Sequence, residues 1–258
     1  MQTREKLLEL LESHRGTFFS GETIARTLSL SRSAIWKAVK ALQNDGYAIA
    51  AVTNRGYCLL EQNDIISAQG IRKYLRPHLT GLDITILPTV SSTNTLLWER
   101  AGSGAPEGCF VLANEQTRGR GRCGRDFFSP SETGIYMSLL LRPENCMAEQ
   151  ALQITTMAAV AVCEAIDDVS DTEEKAQIKW VNDIYLHAKK VCGILTEGSL
   201  SLENGMLEYA VLGLGINIYP PKQNFPVELE NLAGTLFQSQ KDDVKNRLAA
   251  QFLNRFND

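Results

Sequence analysis

The chain has 258 residues, 44% of them hydrophobic and 22% charged, and a formal net charge of −4, the make-up of an ordinary soluble protein. Its amino terminus is charged from the fourth residue, and its most apolar long segment, 151–166, is short and broken by Gln153, Thr155, Thr156 and Glu164, which argues against a signal peptide or a membrane span and for a cytoplasmic protein. Six cysteines without a C-x-x-C pair and three scattered histidines, His14, His78 and His187, suggest neither a disulfide framework nor a zinc site.

In chain order, residues 4–14 place Leu7, Leu8 and Leu11 on one helical face, and Gly16 follows as a stop. Ser20 can cap a second helix carrying Ile24, Ala25 and Leu28. After the short turn Ser29-Leu30, Ser31 can cap a third. On that helix Ile35, Val39 and Leu42 point inward, leaving Arg32, Ser33, Trp36, Lys37 and Lys40 outside. Asn44-Asp45-Gly46 ends it, and residues 47–52 and 57–60 read as two strands joined by a turn holding Arg55. This pattern predicts a winged helix-turn-helix over 1–63. Its third helix would enter a major groove of operator DNA, with Arg55 at the wing tip near a minor groove. That segment carries 8 Lys+Arg against 6 Asp+Glu, so a mildly basic head precedes an acidic body.

Residues 64–258 read as a second, α+β domain with a mixed sheet. Strands are expected at 82–87, 110–113, 134–141, 178–180 and 207–218, with consecutive strands in 184–200 and helices at 94–101, 149–166 and 244–256. Between the second and third strands lies TRGRGRCGRDFFSP, with three Gly and four Arg in residues 118–125. Glycine exposes backbone N–H groups and arginine offers a planar charged fork, so this tethered loop is suited to phosphate or carboxylate. It matches neither the P-loop nor the G-x-G-x-x-G pattern. Lys190 returns seven residues after Asp183, close enough to pair across a hairpin. Gly213 and Gly215 lie on one face of a strand, a sign of close approach. Trp180 and Tyr185 read as core.

These stretches together resemble the bifunctional biotin-protein ligases and biotin operon repressors of the BirA type. The resemblance is carried by S-S-T-N at 91–94, G-R-G-R-x-G-R at 119–125 with F-x-S-P at 127–130, K-W-x-N-D at 179–183, K-x-x-G-I-L-x-E at 190–197 and G-x-G-I-N at 213–217. It spans essentially the whole chain. Cys123, Val181 and Phe127 stand where the family usually has Arg, Pro and Trp, and the chain ends at Asp258 where the family continues into an SH3-like domain, so that domain is expected to be absent.

The resemblance implies a catalytic domain related to class II aminoacyl-tRNA synthetases. It further implies that biotin and Mg-ATP form biotinyl-5′-AMP, from which a lysine of the biotin carboxyl carrier protein of acetyl-CoA carboxylase takes biotin. By the same carry-over, Lys190, Arg122, Arg125 and Asp183 are the catalytic set. Ser92, Thr93, Asn94, Gln116, Gly119, Arg120, Arg122, Lys190 and Gly193 would bind biotin. Arg122, Arg125, Phe127, Asn182, Lys190 and Asn217 would hold ATP or the adenylate, and Asp183 would hold magnesium or activate the incoming lysine. For Ser92, Thr93 and Asn94, local capping is the competing reading. The adenylate-bound form is expected to be a homodimer on operator DNA, repressing biotin synthesis genes. The rival readings are a lipoate or octanoate ligase and a ligand-sensing repressor with a decayed enzyme domain.

Overall fold

The computed structural model describes residues 3–147 and 150–258. Two compact units emerge, Met1–Leu75 with Lys241–Ala250 and Arg76–Gln240 with Gln251–Asp258.

In the first unit, α1 (Thr3–Glu12), α2 (Gly21–Leu28) and α3 (Arg32–Asn44) pack Leu7, Leu11, Ile24, Ile35, Val39 and Leu42 into one core. Ser20 and Ser31 accept the N–H of Thr23 and Ala34 at 3.0 and 3.2 Å, so both caps form as the spacing predicts. The first wing strand is shorter than expected and the second begins one residue earlier: β1 is Ile49–Val52 and β2 is Gly56–Leu59, paired antiparallel. Tyr47 stays out of the strand because its N–H closes the helix end on Leu42 O, beyond the left-handed Gly46. At Gly56, with φ +96°, a Cβ would lie 2.0 Å from Phe19 O, since Phe19 and Tyr57 exchange both backbone hydrogen bonds there. This unit also contains the short α4 (Ala68–Arg72) and a buried charge cluster. Arg15 bridges Glu12 at 2.7 Å and Asp243 at 2.8 Å, while Lys73 and the Tyr74 hydroxyl reach the other Asp243 oxygen at 2.7 and 2.6 Å. Burial alone lowers the Arg15 pKa, but the bond to Glu12 and the charges of Glu12 and Asp243 outweigh it and hold the guanidinium above its usual value.

The second unit is built on a seven-stranded sheet in the order β3-β4-β5-β9-β8-β7-β6. The strands are β3 (Ile84–Leu87), β4 (Phe110–Ala113), β5 (Gly134–Leu141), β6 (Gln177–Lys179), β7 (Asp183–Leu186), β8 (Lys189–Leu200) and β9 (Leu207–Asn217). The β3–β4 pair is parallel and the others antiparallel, which makes the sheet mixed as expected. Helix α5 (Thr93–Gly102) packs Leu97 and Ala101 against Val111 and Val211. Helix α6 (Ala151–Val169) lies on the opposite face: Thr155 meets Thr196 at 2.8 Å, and Thr196 pairs with Leu212, one residue out of phase with Val211. The expected start of α6 at Glu149 lies outside the described residues, and its end runs three residues past Ile166 because Val169 is buried too. The β7–β8 hairpin turns through His187 and Ala188, both left-handed, with φ 51° and 59°. The last helix, α7, is Val244–Phe256.

One expected core residue is not core. Trp180 is 75% exposed, because it follows β6, the outermost strand, whose three residues are themselves exposed. Tyr185, one strand further in, is half-buried.

Candidate active site

The arginine-glycine segment leaves β4 and folds back on itself as a small lobe. Phe127 N–H donates to Gly119 O at 2.9 Å and Gly121 N–H to Arg125 O at 2.7 Å, with Arg120 and Asp126 in a bridge between them. The tip turns through Cys123 (φ 56°) and Gly124 (φ 73°), both exposed. From its base the Phe127 ring drops onto the sheet, where Gly193 of β8 pairs with Gly215 of β9. A Cβ on Gly215 would lie 2.3 Å from that ring and one on Gly193 3.0 Å from it, so the two facing glycines are a seat for Phe127. In the same way Gly213 makes room for Asn94, whose Oδ1 would lie 1.9 Å from a Cβ. The close approach marked by the glycine pair is thus made by the protein's own side chains.

Two cavities flank Phe127. The smaller, about 50 Å³, is lined by Ser92, Thr93, Asn94, Gln116, Arg120 and Gly193, among others. Its walls are a closed polar network. Gln116 accepts from Thr93 N–H and Oγ1 at 2.9 and 3.1 Å and donates to Ser129 Oγ at 3.0 Å. Ser138 lies 2.7 Å from Thr93 Oγ1 and 2.6 Å from Asn94 Oδ1. Ser92 caps α5, accepting from Thr95 N–H at 3.5 Å, so its local role is realised alongside its place on the wall.

The larger cavity, about 530 Å³, is lined by Arg125, Asp183, Tyr185 and Asn217 and by the apolar Phe128, Phe225, Leu229, Leu232 and Ala233. Gly121, Arg122, Phe127, Asn182 and Lys190 line both cavities. Lys190 Nζ lies 2.7 Å from Asp183 Oδ1, the cross-hairpin pair expected from the seven-residue spacing. That oxygen is buried and has no hydrogen bond of good angle, so charge alone holds it there. Asn182 joins the strands to the loop, donating to Ile194 O at 3.1 Å and accepting from Arg122 Nη1 at 3.2 Å. Asn217 is held by Gly234 O at 3.2 Å. Cys192 is fully buried on the cavity wall, and burial pushes its thiol pKa well above the ordinary value, so it is no nucleophile at neutral pH.

Every candidate ligase residue except Gly119 thus lies on one or both of two adjoining cavities. Gly119 sits beneath the lobe, where a Cβ would meet Phe127 O at 2.3 Å. The sequence reading missed Ser138, Ser129, Glu197 and the apolar residues 225–233. Ser138, a lone serine in the apolar strand GIYMSLLL, and Glu197, which closes the quoted K-x-x-G-I-L-x-E stretch, were the available signals.

In the first unit, Arg32, Ser33, Trp36, Lys37 and Lys40 stand exposed on α3 and Arg55 is exposed on the turn between β1 and β2. Arg55 stacks over the Phe18 ring at 4.0 Å, and Arg32 faces Glu22 at 3.2 Å.

Residues 86–217 match the profile of the biotin/lipoate A/B protein ligase family, and residues 3–58 match that of the HTH domain. The Bacillus subtilis bifunctional ligase/repressor BirA is 36% identical over 241 residues, covering 93% of this chain and 73% of that one. The Escherichia coli bifunctional ligase/repressor BirA is 34% identical over 213 residues, 83% and 63% of the two chains. The Aquifex aeolicus biotin protein ligase, solved in complex with biotin and ATP, superposes with a TM-score of 0.55 at 28% identity, over 68% of this chain and 70% of that one. With a ligase fold carrying the paired cavities and a helix-turn-helix unit in the same chain, the protein belongs to the biotin/lipoate A/B protein ligase family, among the bifunctional ligase/repressors of the BirA type.

Proposed function

We propose that the small cavity takes biotin, the large one takes ATP, and the wall they share joins the two as biotinyl-5′-AMP. The observation that carries this reading is that Lys190 and Arg122, two cations, line both cavities at once. The biotin carboxylate attacks the α-phosphorus of ATP; an O–P bond forms, the bond to the β-phosphate breaks, and pyrophosphate leaves. Both reactants are anions, so the barrier is dominated by charge repulsion, which Lys190, Arg122 and Arg125 offset. No protein nucleophile is required, since substrate supplies it. The apolar residues from Phe225 to Ala233 and the Phe127 ring suit an adenine, with Asn217 beside them.

In the second step a lysine amine of the biotin carboxyl carrier protein attacks the acyl carbon, and AMP leaves. Asp183 would accept a proton from that amine or, as the alternative, hold magnesium. Asp183 and the exposed Asp126 are the carboxylates lining the large cavity, and Asp183, paired there with Lys190 at 2.7 Å, is the residue that would hold a magnesium ion brought with ATP. A magnesium ion held there would neutralise phosphate charge. In the first unit, the exposed cations of α3 and the wing fit operator phosphates and base edges.

The decisive assay is pyrophosphate release dependent on both biotin and ATP. Lys190→Ala is expected to abolish it while the protein stays folded. A folded wild-type chain that releases none would leave a sensor without catalysis, and calorimetric binding of lipoate in preference to biotin would move the assignment to the lipoate branch.

A further inference from the structure

A site that must bring two anions together has, at its edge, a carboxylate with no part in that chemistry. Glu197 is 23% exposed and lies on β8, opposite Val211 of β9. Unpaired, its charge would oppose the binding of biotin carboxylate and phosphate. It is paired with Arg120 in a bidentate arrangement, Nη2 to Oε1 at 2.7 Å and Nη1 to Oε2 at 3.2 Å. Such a fork fixes angle as well as distance. Glu197 is itself held: Oε2 accepts from Asn94 Nδ2 at 3.1 Å, Asn94 Oδ1 lies 2.6 Å from the buried Ser138 hydroxyl, and Asn94 is wedged over Gly213. A chain of three side chains therefore runs from the sheet interior, through α5, to the rim.

Arg120 lies on the outgoing limb of the loop, one residue before Gly121, and it lines the small cavity, so whatever fixes Arg120 also fixes one wall of that cavity. We propose that Glu197 is the positioning residue of the ligase site, the fixed half of a latch whose moving half is Arg120, and that this latch closes the loop over biotin and sets how slowly the adenylate escapes. The charge of Arg120 is then neutralised by Glu197, leaving Lys190, Arg122 and Arg125 as the cations that face the reacting anions. This deepens the biotin reading and rests on it.

Release of preformed, radiolabelled adenylate from the full chain tests the inference, alongside calorimetry of biotin binding to wild type. Glu197→Gln, which keeps an acceptor for Asn94 and loses the charge, is expected to speed release about tenfold and to raise the biotin KM by a similar factor, with a smaller change in kcat. Glu197→Asp should restore part of the difference. Trypsin cleavage after Arg120, Arg122 or Arg125 should be faster in Glu197→Gln than in wild type, which reads loop opening independently of catalysis. If wild type binds biotin but release and cleavage in Glu197→Gln stay within twofold of wild type, the latch is refuted and the biotin reading stands. If wild type does not bind biotin, the biotin reading itself fails.

Discussion

Gly213 shows how much a single residue can decide. Adding a methyl there would drive into Asn94 Oδ1 and break that side chain's contacts to Ser138 and Glu197. Gly213→Ala is expected to cost about 1–3 kcal/mol, measured by urea unfolding, and to weaken biotin binding as Asn94 moves. Tyr47 makes a different prediction. Burial raises its phenol from 10.0 to about 12. The unfolded chain ionises near pH 10 while the folded chain holds the proton, so this stabilisation is complete below pH 10 and is lost as pH rises toward 12. In Tyr47→Phe the decline above pH 10 should be shallower, by up to about 1.4 kcal/mol per pH unit, in unfolding curves taken at pH 9 and 11.5. Residues with a chemical pattern, such as the lysine and aspartate of the β7–β8 hairpin, are legible in the sequence because spacing alone puts them together. Ser138 and Glu197 are only flagged there, since a polar residue in a strand does not say which group on the next element it meets.

Among the elements, α3 and its cap show how local rules suffice where burial is periodic. Ser31, the inward Ile35, Val39 and Leu42 and the outward cations are all readable at a spacing of 3.6. Ser31→Ala removes the acceptor for Ala34 N–H and should lower the unit's stability by about 1 kcal/mol in thermal unfolding, with weaker operator binding as the helix start frays. Strand β6 shows where such rules stop. Its sequence Gln-Ile-Lys and the following Trp180 look like a buried strand, but whether a strand is central or outermost depends on sheet order, which no window of residues contains. The β8–β9 pair falls between these cases. Its glycines signalled crowding, while the identity of the crowding groups, a phenyl ring from the loop and an amide from α5, required the fold.

At the scale of the whole molecule, the coupling of ligand to repression is a linkage proposal: adenylate orders the loop, the ordered chain dimerises, and the dimer binds a palindromic operator. Sedimentation velocity should show a shift from monomer toward dimer on adding biotin with ATP, and no shift with either alone; indifference to both would sever the link. The sequence suggests a head ending at residue 63, whereas the first unit gathers Lys241–Ala250 into itself. Its buried cluster ties Arg15 to Asp243, 228 positions later, and no local pattern announces that bond. A ribosome delivers Arg15 and Lys73 long before Asp243 emerges, so the nascent head must wait, short of a carboxylate, until residue 243 has been made. A DNA-binding fragment clipped at either apparent boundary would keep that immaturity permanently.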